Sequence, residues 1–356
     1  MESFLHRRNP MRVSVYPKTK ELEQKMKIAI VGCGGIAKVH AGSVDPQEHQ
    51  LVAFADILPQ RAQDFSQQYT AGKARVYASL EEMLEKEDLD VLHICTPHYL
   101  HVPMALAALE KGVHVFMEKP PAISRQQYAA LKEAAQKSDC RLGVCFQNRY
   151  NPSVQTAKSL LESGEFGRLI SARAFVTWSR GGAYYTESGW RGALATEGGG
   201  ALINQSIHTL DLMTMFMGHA EDCEASIANH HLKGVIEVED TMEAYIRYEK
   251  GVGLFYCTTA FGSNAPILLE LHCEKMVLRI EGDTLTLIAP DGTKTAVELE
   301  KRVALGKGYW GTGHTACIRD FYHAVQTGAQ PAIGLSEVEN TFQLMMDLYE
   351  SARGQR

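Results

Sequence analysis

The stretch 195–213, ATEGGGALINQSIHTLDLM, carries three polar side chains of the types that bind hydroxyl groups and transfer protons. On a helix with about 100° per residue, Asn204, His208 and Asp211 fall within about 60° of one another. Glycines 198–200 precede them, and we expect these glycines to let the start of the helix lie close to bound ligands. The spacing therefore predicts a helix whose polar stripe forms one wall of a substrate cleft.

Each residue of this stripe has its own expected role. A lone histidine in an apolar helix is more often a buried structural residue than a catalyst, but the aligned amide and carboxylate favour proton transfer by His208. An amide cannot accept a proton, so we expect Asn204 to hold a hydroxyl group without acting as a base. Asp211 either orients the imidazole of His208 or caps local structure, and the sequence leaves both alternatives open.

Lys119 is the second candidate for proton transfer. It ends the apolar stretch HVFMEK, which predicts a buried strand, and two prolines follow it. Partial burial and a nearby positive charge both lower the pKa of a lysine amine, which favours proton exchange with a hydroxyl group. The alternative is a structural ion pair with Glu118. We favour catalysis because the ligands of α/β sheets lie at the carboxyl ends of strands.

A glycine-rich turn follows the first apolar stretch, in KIAIVGCGGIAKVH. Gly32, Gly34 and Ala37 match the pattern G-x-G-x-x-G/A, and Gly35 is an additional glycine. In this pattern the first glycine allows a tight turn and the second lets the backbone approach a pyrophosphate. The phosphates then lie at the N-terminus of the following helix. The turn therefore predicts a dinucleotide site.

Asp56 ends the second predicted strand, QLVAFAD, 21 residues after Gly35. An acidic residue at this distance binds the ribose hydroxyls of a dinucleotide. The alternative is a helix N-cap, and one carboxylate can serve both roles. Ile57 follows, so no basic or hydroxyl side chain awaits a 2′-phosphate there, although Arg61 lies nearby. These residues favour NAD as the cofactor over NADP.

Alternating strand and helix patterns predict an α/β fold with two domains. Residues 26–147 are expected to form a Rossmann domain, a doubly wound parallel sheet. Residues 148–356 are expected to form an α+β domain with a large, mainly antiparallel sheet, including a hairpin at Lys250-Gly251 and two final helices. Residues 1–25 are polar and basic and are expected to lie outside the fold. The alternative is that MRVSVYP adds a strand to a sheet edge.

The composition excludes several classes of protein. The net charge of −6 gives no reason to expect nucleic acid or an anionic membrane as a partner. No apolar run approaches the roughly 18 residues of a membrane span. Eight scattered cysteines without a Cys-x-x-Cys pair indicate reduced thiols in a cytoplasm. The spacing His98-x-x-His101 lacks the other ligands of a zinc site, so we predict no metal.

Three segments together resemble a known family. VGCGGIAKVH, ICTPHYLHVPMALAALEKGVHVFMEKP and GGGALINQSIHTLDL are similar to the glucose–fructose oxidoreductase, inositol dehydrogenase and rhizopine-catabolism (Gfo/Idh/MocA) family. The resemblance runs from about residue 26 to the C-terminus. It implies an NAD-dependent oxidoreductase that transfers a hydride between nicotinamide and a hydroxyl-bearing carbon of a sugar, polyol or sugar derivative.

The resemblance also implies roles for individual residues. Lys119 and His208 match the acid–base groups of the family, and Asn204 stands where many members have Asp. Besides the glycine turn and Asp56, further residues are expected to contact the cofactor. They are Ile36, Thr96, Pro97, His98, His101, Glu118 and Lys119. The resemblance implies in addition that the open face of the second sheet packs against another subunit, giving a homodimer or homotetramer.

Loops rich in aromatic and basic residues are expected to cover the cleft. WSRGG, SGWRG and GYWGTGH contain side chains that stack on sugars and bind hydroxyl groups. The candidate substrate contacts there and after the sixth strand are Arg149, Tyr150, Trp190, Arg191, Tyr309 and His314, with Trp310 beside them. The alternative for each is ordinary loop packing.

Two other functions remain open at this point. One is a regulatory module that holds a dinucleotide without turnover, although the presence of both Lys119 and His208 favours an enzyme. The other is a glycosidase that uses NAD for a transient oxidation. Net formation of NADH distinguishes a dehydrogenase from both.

Overall fold

The computed structural model describes residues 25–354, apart from the side chain of Tyr309. Its first sheet has six parallel strands in the order β3-β2-β1-β4-β5-β6. The strands are β1 Met26–Val31, β2 His49–Ala55, β3 Arg75–Tyr77, β4 Val91–Ile94, β5 His114–Met117 and β6 Leu142–Val144. All four residues of β4 are buried, as expected for a strand covered on both faces. This sheet confirms the predicted Rossmann fold.

The second sheet has eight strands in the order β14-β13-β12-β11-β7-β10-β9-β8. Neighbours pair antiparallel except β7 and β10, which are parallel. The strands are β7 Leu169–Thr177, β8 Ala220–Ala228, β9 Thr241–Tyr248, β10 Gly251–Thr258, β11 Leu268–Cys273, β12 Val277–Glu281, β13 Thr284–Ile288 and β14 Lys294–Ala296. The predicted α+β fold with a mainly antiparallel sheet is therefore confirmed.

Helices cover both sheets. The α-helices are α1 Ala37–Ser43, α2 Pro59–Thr70, α3 Leu80–Lys86, α4 His101–Glu110, α5 Arg125–Lys137, α6 Pro152–Glu162, α7 Gly182–Thr186, α8 Leu194–Glu197, α9 Ile207–Met217, α10 His314–Thr327 and α11 Leu335–Ala352. Shorter 3₁₀ turns cover His98–Leu100, Gln147–Tyr150 and Gly308–Trp310. Within the described range, none of the helices has both the length and the apolar character needed to cross a membrane.

The C-terminal helix α11 connects the two sheets. It packs on β8 and α9 of the second half, while the backbone N–H of Val144 in β6 donates to Ile333 just before the helix, at 2.9 Å. On the other side, Arg125 of α5 forms ion pairs with Asp347 and Glu350 at 2.8 Å. The end of the chain therefore packs against the first sheet as well as the second.

The stretch 195–213 is not the single α-helix that its spacing predicts. Helix α8 ends at Glu197, and Gly198 follows with a φ of +86°. The chain then forms a wide π-helical turn over Ala201–Ser206 before α9 begins at Ile207. A π turn has more residues per turn than an α-helix, so the side chains before and after it do not keep the 100° spacing.

The glycines of this stretch approach protein atoms, so our expectation that they make room for ligands is wrong. A Cβ atom on Gly199 would lie 2.1 Å from the hydroxyl oxygen of Tyr349, and one on Gly200 would lie 1.9 Å from the carbonyl oxygen of Glu239. The Glu239 carboxylate also accepts from the backbone N–H groups of Gly200 and Leu202, at 2.9 and 3.1 Å. The glycines thus let the π turn pack closely against Glu239, just before β9, and against Tyr349 of α11.

We expect Gly200→Ala to lower the free energy of unfolding by about 3 kcal/mol, the upper end of the usual cost of overpacking. The reason is that the new methyl group must displace the backbone carbonyl of Glu239, which cannot rotate away as a side chain does. Urea unfolding followed by circular dichroism measures the change. Gly262→Ala is the matched control because no atom of the described residues lies within 4 Å of its added Cβ. Equal stability of the two variants would contradict the prediction.

Candidate active site

A cleft of about 680 Å³ lies where the carboxyl ends of the parallel strands face the second sheet. It brings together most of the residues that the sequence singles out. Those lining it are Gly32, Gly34, Gly35, Ile36, Asp56, Thr96, Pro97, His98, His101, Glu118, Lys119, Trp190, Arg191, Asn204, His208 and His314. One continuous site therefore contains both the glycine turn and the candidate acid–base groups.

The glycine turn fits a dinucleotide pyrophosphate. Gly32 has a φ of +85°, and a Cβ atom there would lie 2.7 Å from the carbonyl oxygen of Cys95, so only glycine is tolerated. At Gly34 and Gly35 an added Cβ meets no atom of residues 25–354 within 4 Å, and both residues line the cleft. The space that these two glycines leave open is thus available to phosphate oxygens.

Asp56 ends β2 beside this turn. Its two carboxylate oxygens accept from the backbone N–H groups of Cys33 and Leu58, both at 2.8 Å. The bond from Leu58 is local, whereas the bond from Cys33 fixes the carboxylate against the glycine turn. Ile57 is 85% exposed and offers no group for a 2′-phosphate, whereas Arg61 lines the cleft. This arrangement fits a ribose diol next to Asp56.

Behind Lys119, four buried side chains form one chain of hydrogen bonds. The Tyr322 hydroxyl lies 2.8 Å from Nε2 of His93, whose Nδ1 lies 2.9 Å from Nδ1 of His40. Nε2 of His40 lies 2.9 Å from the carboxylate of Glu118. The chain joins helix α10, strand β4, helix α1 and the end of β5. It thereby fixes the position of the residue that precedes Lys119.

The protons in this chain follow from its pKa shifts. Burial alone would lower the pKa of His40, but its interactions with Cys145 and Glu118 outweigh burial and raise the pKa to about 9. Burial alone would raise the pKa of Glu118, whereas His40 holds it well below its usual range. Burial lowers the pKa of His93 well below its usual value. A cationic His40 therefore donates to both an ionised Glu118 and a neutral His93.

His40, Glu118 and Cys145 also bring three possible metal-ligand atoms within 4.8 Å of one another. Both ring nitrogens of His40 already bind protein groups, His93 and Glu118. Burial raises the pKa of the Cys145 thiol well above its usual value, which disfavours the thiolate that a metal needs. The cluster therefore fits a proton-sharing network better than a metal centre.

Lys119 reaches across the cleft to the second half of the chain. Its Nζ donates to the backbone carbonyl oxygen of Asn204 at 2.7 Å, and its bond to Pro120 is a cis peptide. Burial lowers its pKa, while the negative charge of Glu118 opposes that shift. His101 holds the backbone next to Lys119, because its ring nitrogens lie 2.8 and 2.9 Å from the carbonyl oxygens of Pro120 and Thr96. The amine is thus held in the cleft with an increased tendency to lose its proton.

His208 lines the cleft, and one of its ring nitrogens has no hydrogen-bond partner among the described residues. This nitrogen is Nδ1, and it is buried. Burial lowers the pKa of His208 well below its usual value, so the ring is neutral near pH 7. Asn204, which also lines the cleft, donates from its side-chain amide to Glu197.

Asp211 takes neither of the two roles considered for it. Its carboxylate forms an ion pair with Arg149, with oxygen–nitrogen distances of 2.6 and 2.7 Å, and accepts from the Thr341 hydroxyl at 2.8 Å. It therefore does not orient His208. The same ion pair occupies Arg149, and neither Arg149 nor Tyr150 lines the cleft, so the structure does not support their expected contact with substrate.

Glu197 is a functional candidate that sequence reasoning missed. It is fully buried, its carboxylate accepts from Asn204 and from the backbone N–H of Gly192 at 2.5 Å, and its carbonyl oxygen lies 2.8 Å from Nδ1 of His98. Burial raises the pKa of Glu197 to about 7, although those bonds oppose the shift. Its position one residue before the three glycines was the signal that could have identified it.

Some of the loop residues that were expected to contact the substrate line the cleft. Trp190 and Arg191 line it, and His314 lies at the start of α10. The side chain of Tyr309 falls outside the described part of the chain, as do residues 1–24, where the extension was placed. Further lining residues that were not expected are Gln147, Asn148, Trp178, Arg180, Tyr184, Gln205 and Lys307. Two of them, Trp178 and Arg180, belong to the motif WSRGG, whose loop was expected to cover the cleft.

Two segments of the chain match domains of one protein family. Residues 26–146 match the oxidoreductase family with an NAD-binding Rossmann fold, and residues 154–279 match the GFO/IDH/MocA C-terminal domain. The first segment contains all six strands of the parallel sheet. The second contains the π turn, α9 and the strands β7 to β11.

Named relatives have comparable lengths. D-glucoside 3-dehydrogenase of Escherichia coli is 28% identical over 69% of this chain and 73% of its own length. Trans-1,2-dihydrobenzene-1,2-diol dehydrogenase of Mus musculus is 27% identical over 92% of this chain and 96% of its own. WlbA dehydrogenase of Bordetella pertussis, crystallised with NADH and UDP-GlcNAcA, is 28% identical with a TM-score of 0.80, over 94% of this chain and 98% of that one. The chain belongs to the GFO/IDH/MocA family of NAD-binding oxidoreductases.

Proposed function

We propose that the protein uses NAD to oxidise a hydroxyl-bearing carbon of a sugar, polyol or sugar derivative, with Lys119 and His208 as acid–base groups. One observation carries the proposal: the partly buried Lys119 and His208, whose Nδ1 has no partner among the described residues, line one cleft with the glycine turn and Asp56. The relatives named above, a glucoside dehydrogenase and a diol dehydrogenase among them, support a hydroxyl substrate.

Lys119 is the group best placed to accept the hydroxyl proton. NAD, when bound, supplies the hydride acceptor at its nicotinamide ring. The lowered pKa of Lys119 increases the fraction of neutral amine near pH 7, which is the form that accepts a proton. The carbonyl oxygen of Asn204, 2.7 Å from Nζ, holds the amine at the face of the cleft toward α9.

His208 and Asn204 complete the proton transfer. Because the His208 ring is neutral, one of its nitrogens can accept a hydrogen bond from the substrate hydroxyl or pass a proton on. The Asn204 amide cannot accept a proton, so its role is to hold a substrate oxygen while Glu197 orients it. Trp190, Arg191 and His314 contact the rest of the substrate in this proposal.

We further propose a homodimer or homotetramer that pairs the outer faces of the eight-stranded sheet. Tyr245, Val252 and Leu254 are exposed on the adjacent strands β9 and β10, where Leu254 lies opposite Tyr245. Exposed apolar side chains on adjacent strands are typical of an interface.

The eight free thiols fit a reducing cytoplasm. The division into domains at residues 147 and 148 stays a prediction.

We expect Lys119→Met to reduce turnover by about 10²- to 10⁴-fold, the usual contribution of general acid–base catalysis. Methionine retains most of the apolar stem and removes the amine, so the dissociation constant for NADH should change little. Stopped-flow absorbance of NADH and fluorescence titration measure the two effects. Lys111→Met, an exposed lysine after α4, is the matched control. Loss of NADH binding with normal turnover of the bound fraction would show that Lys119 holds the cofactor and is not the base.

We expect His208→Ala also to slow turnover. If the two groups share one proton, the double variant with Lys119→Met should lose less activity than the product of the two single losses. Steady-state assays with one sugar substrate measure all four proteins. Losses that multiply would contradict a shared proton path. Hydrolysis of a glycoside without net NADH would instead support the glycosidase alternative.

We expect the native protein to bind NADH at least about tenfold more tightly than NADPH, because the Asp56 carboxylate repels a 2′-phosphate. Asp56→Ser together with Ile57→Arg should move the preference toward NADPH. Ile57→Arg alone is the matched control, since it keeps the carboxylate and should keep the preference for NADH. Fluorescence titration gives both dissociation constants, and tighter NADPH binding by the native protein would contradict the role of Asp56.

A further inference from the structure

The side-chain amide of Asn204 lies between the cleft and a buried carboxylate. Asn204 lines the cleft and is half-buried. Its Nδ2 donates to the carboxylate of Glu197, whereas its Oδ1 makes no hydrogen bond with residues 25–354 and is accessible to solvent. The amide atom that is turned away from Glu197 is therefore the one that a ligand in the cleft meets.

Backbone contacts hold Glu197 in a fixed position. Its side chain is completely buried, and its Oε2 accepts from the backbone N–H of Gly192 at 2.5 Å. Its own carbonyl oxygen lies 2.8 Å from Nδ1 of His98. Because a backbone N–H can only donate, Oε2 stays an acceptor in both protonation states of the carboxyl group. A proton on Glu197 therefore lies on Oε1, the oxygen that faces Asn204.

The protonation state of Glu197 thus determines which way the Asn204 amide turns. An ionised carboxylate only accepts, so it binds the NH₂ group of Asn204, and Oδ1 faces the cleft. A neutral carboxyl donates from Oε1, so it binds Oδ1, and the NH₂ group faces the cleft. The exchange is a half-turn about the last side-chain bond, and it leaves the backbone hydrogen bonds of Asn204 with Gly200 and Lys119 in place.

We propose that Glu197 sets whether Asn204 offers the substrate an acceptor or a donor, and thereby whether the cleft favours an alcohol or the corresponding ketone. The inference rests on the proposed function, because it concerns substrate binding in the same cleft. Asn204 Oδ1 accepts from a hydroxyl group, whereas its NH₂ group donates to a carbonyl oxygen, which has no hydrogen to give. Glu197 is not among the residues that line the cleft, so it is a positioning residue that acts through Asn204.

The exchange takes place close to neutral pH. Burial raises the pKa of Glu197 to about 7, although its bonds with Gly192 and Asn204 oppose the shift. Above this pH the carboxylate is ionised, Oδ1 of Asn204 faces the cleft, and the alcohol is favoured. Below it the carboxyl is neutral, the NH₂ group faces the cleft, and the ketone is favoured.

Ionisable side chains from neighbouring segments also act on Glu197. They are Arg191, Glu239, Lys119, Tyr185 and His98. Arg191 lowers the pKa of Glu197 and Glu239 raises it, so these two effects oppose each other. Burial keeps Tyr185 and His98 neutral, because it raises the pKa of the phenol and lowers that of the imidazole. Lys119, the proposed base, favours the ionised form of Glu197 while it is cationic.

The first test detects the proton on Glu197 without a substrate. Infrared difference spectra of the full-length protein with NADH, between about pH 6 and about pH 8, follow the C=O stretch of protonated carboxyl groups. We expect a band that titrates near the pKa of Glu197 and is absent from Glu197→Gln. Glu187→Gln is the matched control, since Glu187 is exposed and lies outside the cleft lining. The absence of such a band from the native protein, or its persistence in Glu197→Gln, would overturn the proposal.

The second test compares alcohols with their ketones. The probes are three matched pairs: myo-inositol and the corresponding inosose, sorbitol and fructose, and glycerol and dihydroxyacetone. Isothermal titration calorimetry gives dissociation constants in complexes that cannot react, with NADH for the alcohol and with NAD for the ketone. For at least one pair, we expect the preference of the native protein to move about tenfold toward the alcohol between about pH 6 and about pH 8, because one hydrogen bond is exchanged.

Two variants connect this preference to the amide. In Glu197→Gln the new NH₂ group donates to Asn204 at every pH, so the variant should keep the ketone preference that the native protein has at low pH. Asn204→Ala keeps the carboxyl and removes the amide, so its preference should not change with pH either. A purely structural role of Glu197 predicts instead that Glu197→Gln binds alcohol and ketone equally more weakly. NADH binding by each variant shows that it is folded.

The outcomes separate this inference from the proposed function. A preference that is independent of pH in the native protein for all three pairs, or that changes equally in Glu197→Gln, would overturn the role of Glu197. The expected change in preference without NADH formation from any of the alcohols would support that role and count against the dehydrogenase. NADH formation together with a preference that is independent of pH would support the dehydrogenase and overturn the role of Glu197.

Discussion

The buried ion pair between His40 and Glu118 is the interaction on which the geometry of the cleft depends. An unpaired carboxylate at this depth would be strongly destabilising, so Glu118 must lie where His40 can reach it. His40 belongs to the helix that follows the glycine turn, and Glu118 immediately precedes Lys119. The ion pair therefore fixes the proposed base relative to the cofactor turn, and His93 and Tyr322 extend that constraint to β4 and α10.

The wall opposite this ion pair comes from the other half of the chain. The hydrogen bond from Lys119 to the Asn204 carbonyl crosses the cleft and joins the end of β5 to the π turn. Since Gly199 and Gly200 seat that turn against Tyr349 and Glu239, the position of Asn204 depends on the C-terminal helix. Alignment of the proposed acid–base groups is thus a property of both sheets and of the helix that connects them.

Sequence patterns predicted the fold and much of the cleft because they depend on local rules. The glycine turn, Asp56 and Lys119 follow from short-range spacing at strand ends, and the structure brings them together. Asp211 could not be assigned, because its partner Arg149 is distant in sequence and side-chain pairs across the fold leave no local pattern. The π turn was missed for a similar reason, since its shape depends on contacts with Glu239. The cation–π contact between Arg191 and the Tyr184 ring likewise depends on how two segments of the chain fold against each other.

The contact between β6 and the segment before α11 affects how the protein can form during synthesis. Strand β6 is the edge of the parallel sheet, and its Val144 N–H finds its acceptor only at Ile333. Nearby, the Tyr128 ring stacks on Phe342 with centres 4.2 Å apart. A ribosome therefore releases the parallel sheet with one edge open and apolar surface uncovered, until nearly the whole chain has emerged. Open strand edges of this kind promote aggregation, so docking of α11 and the segment before it protects this edge as well as completing the fold.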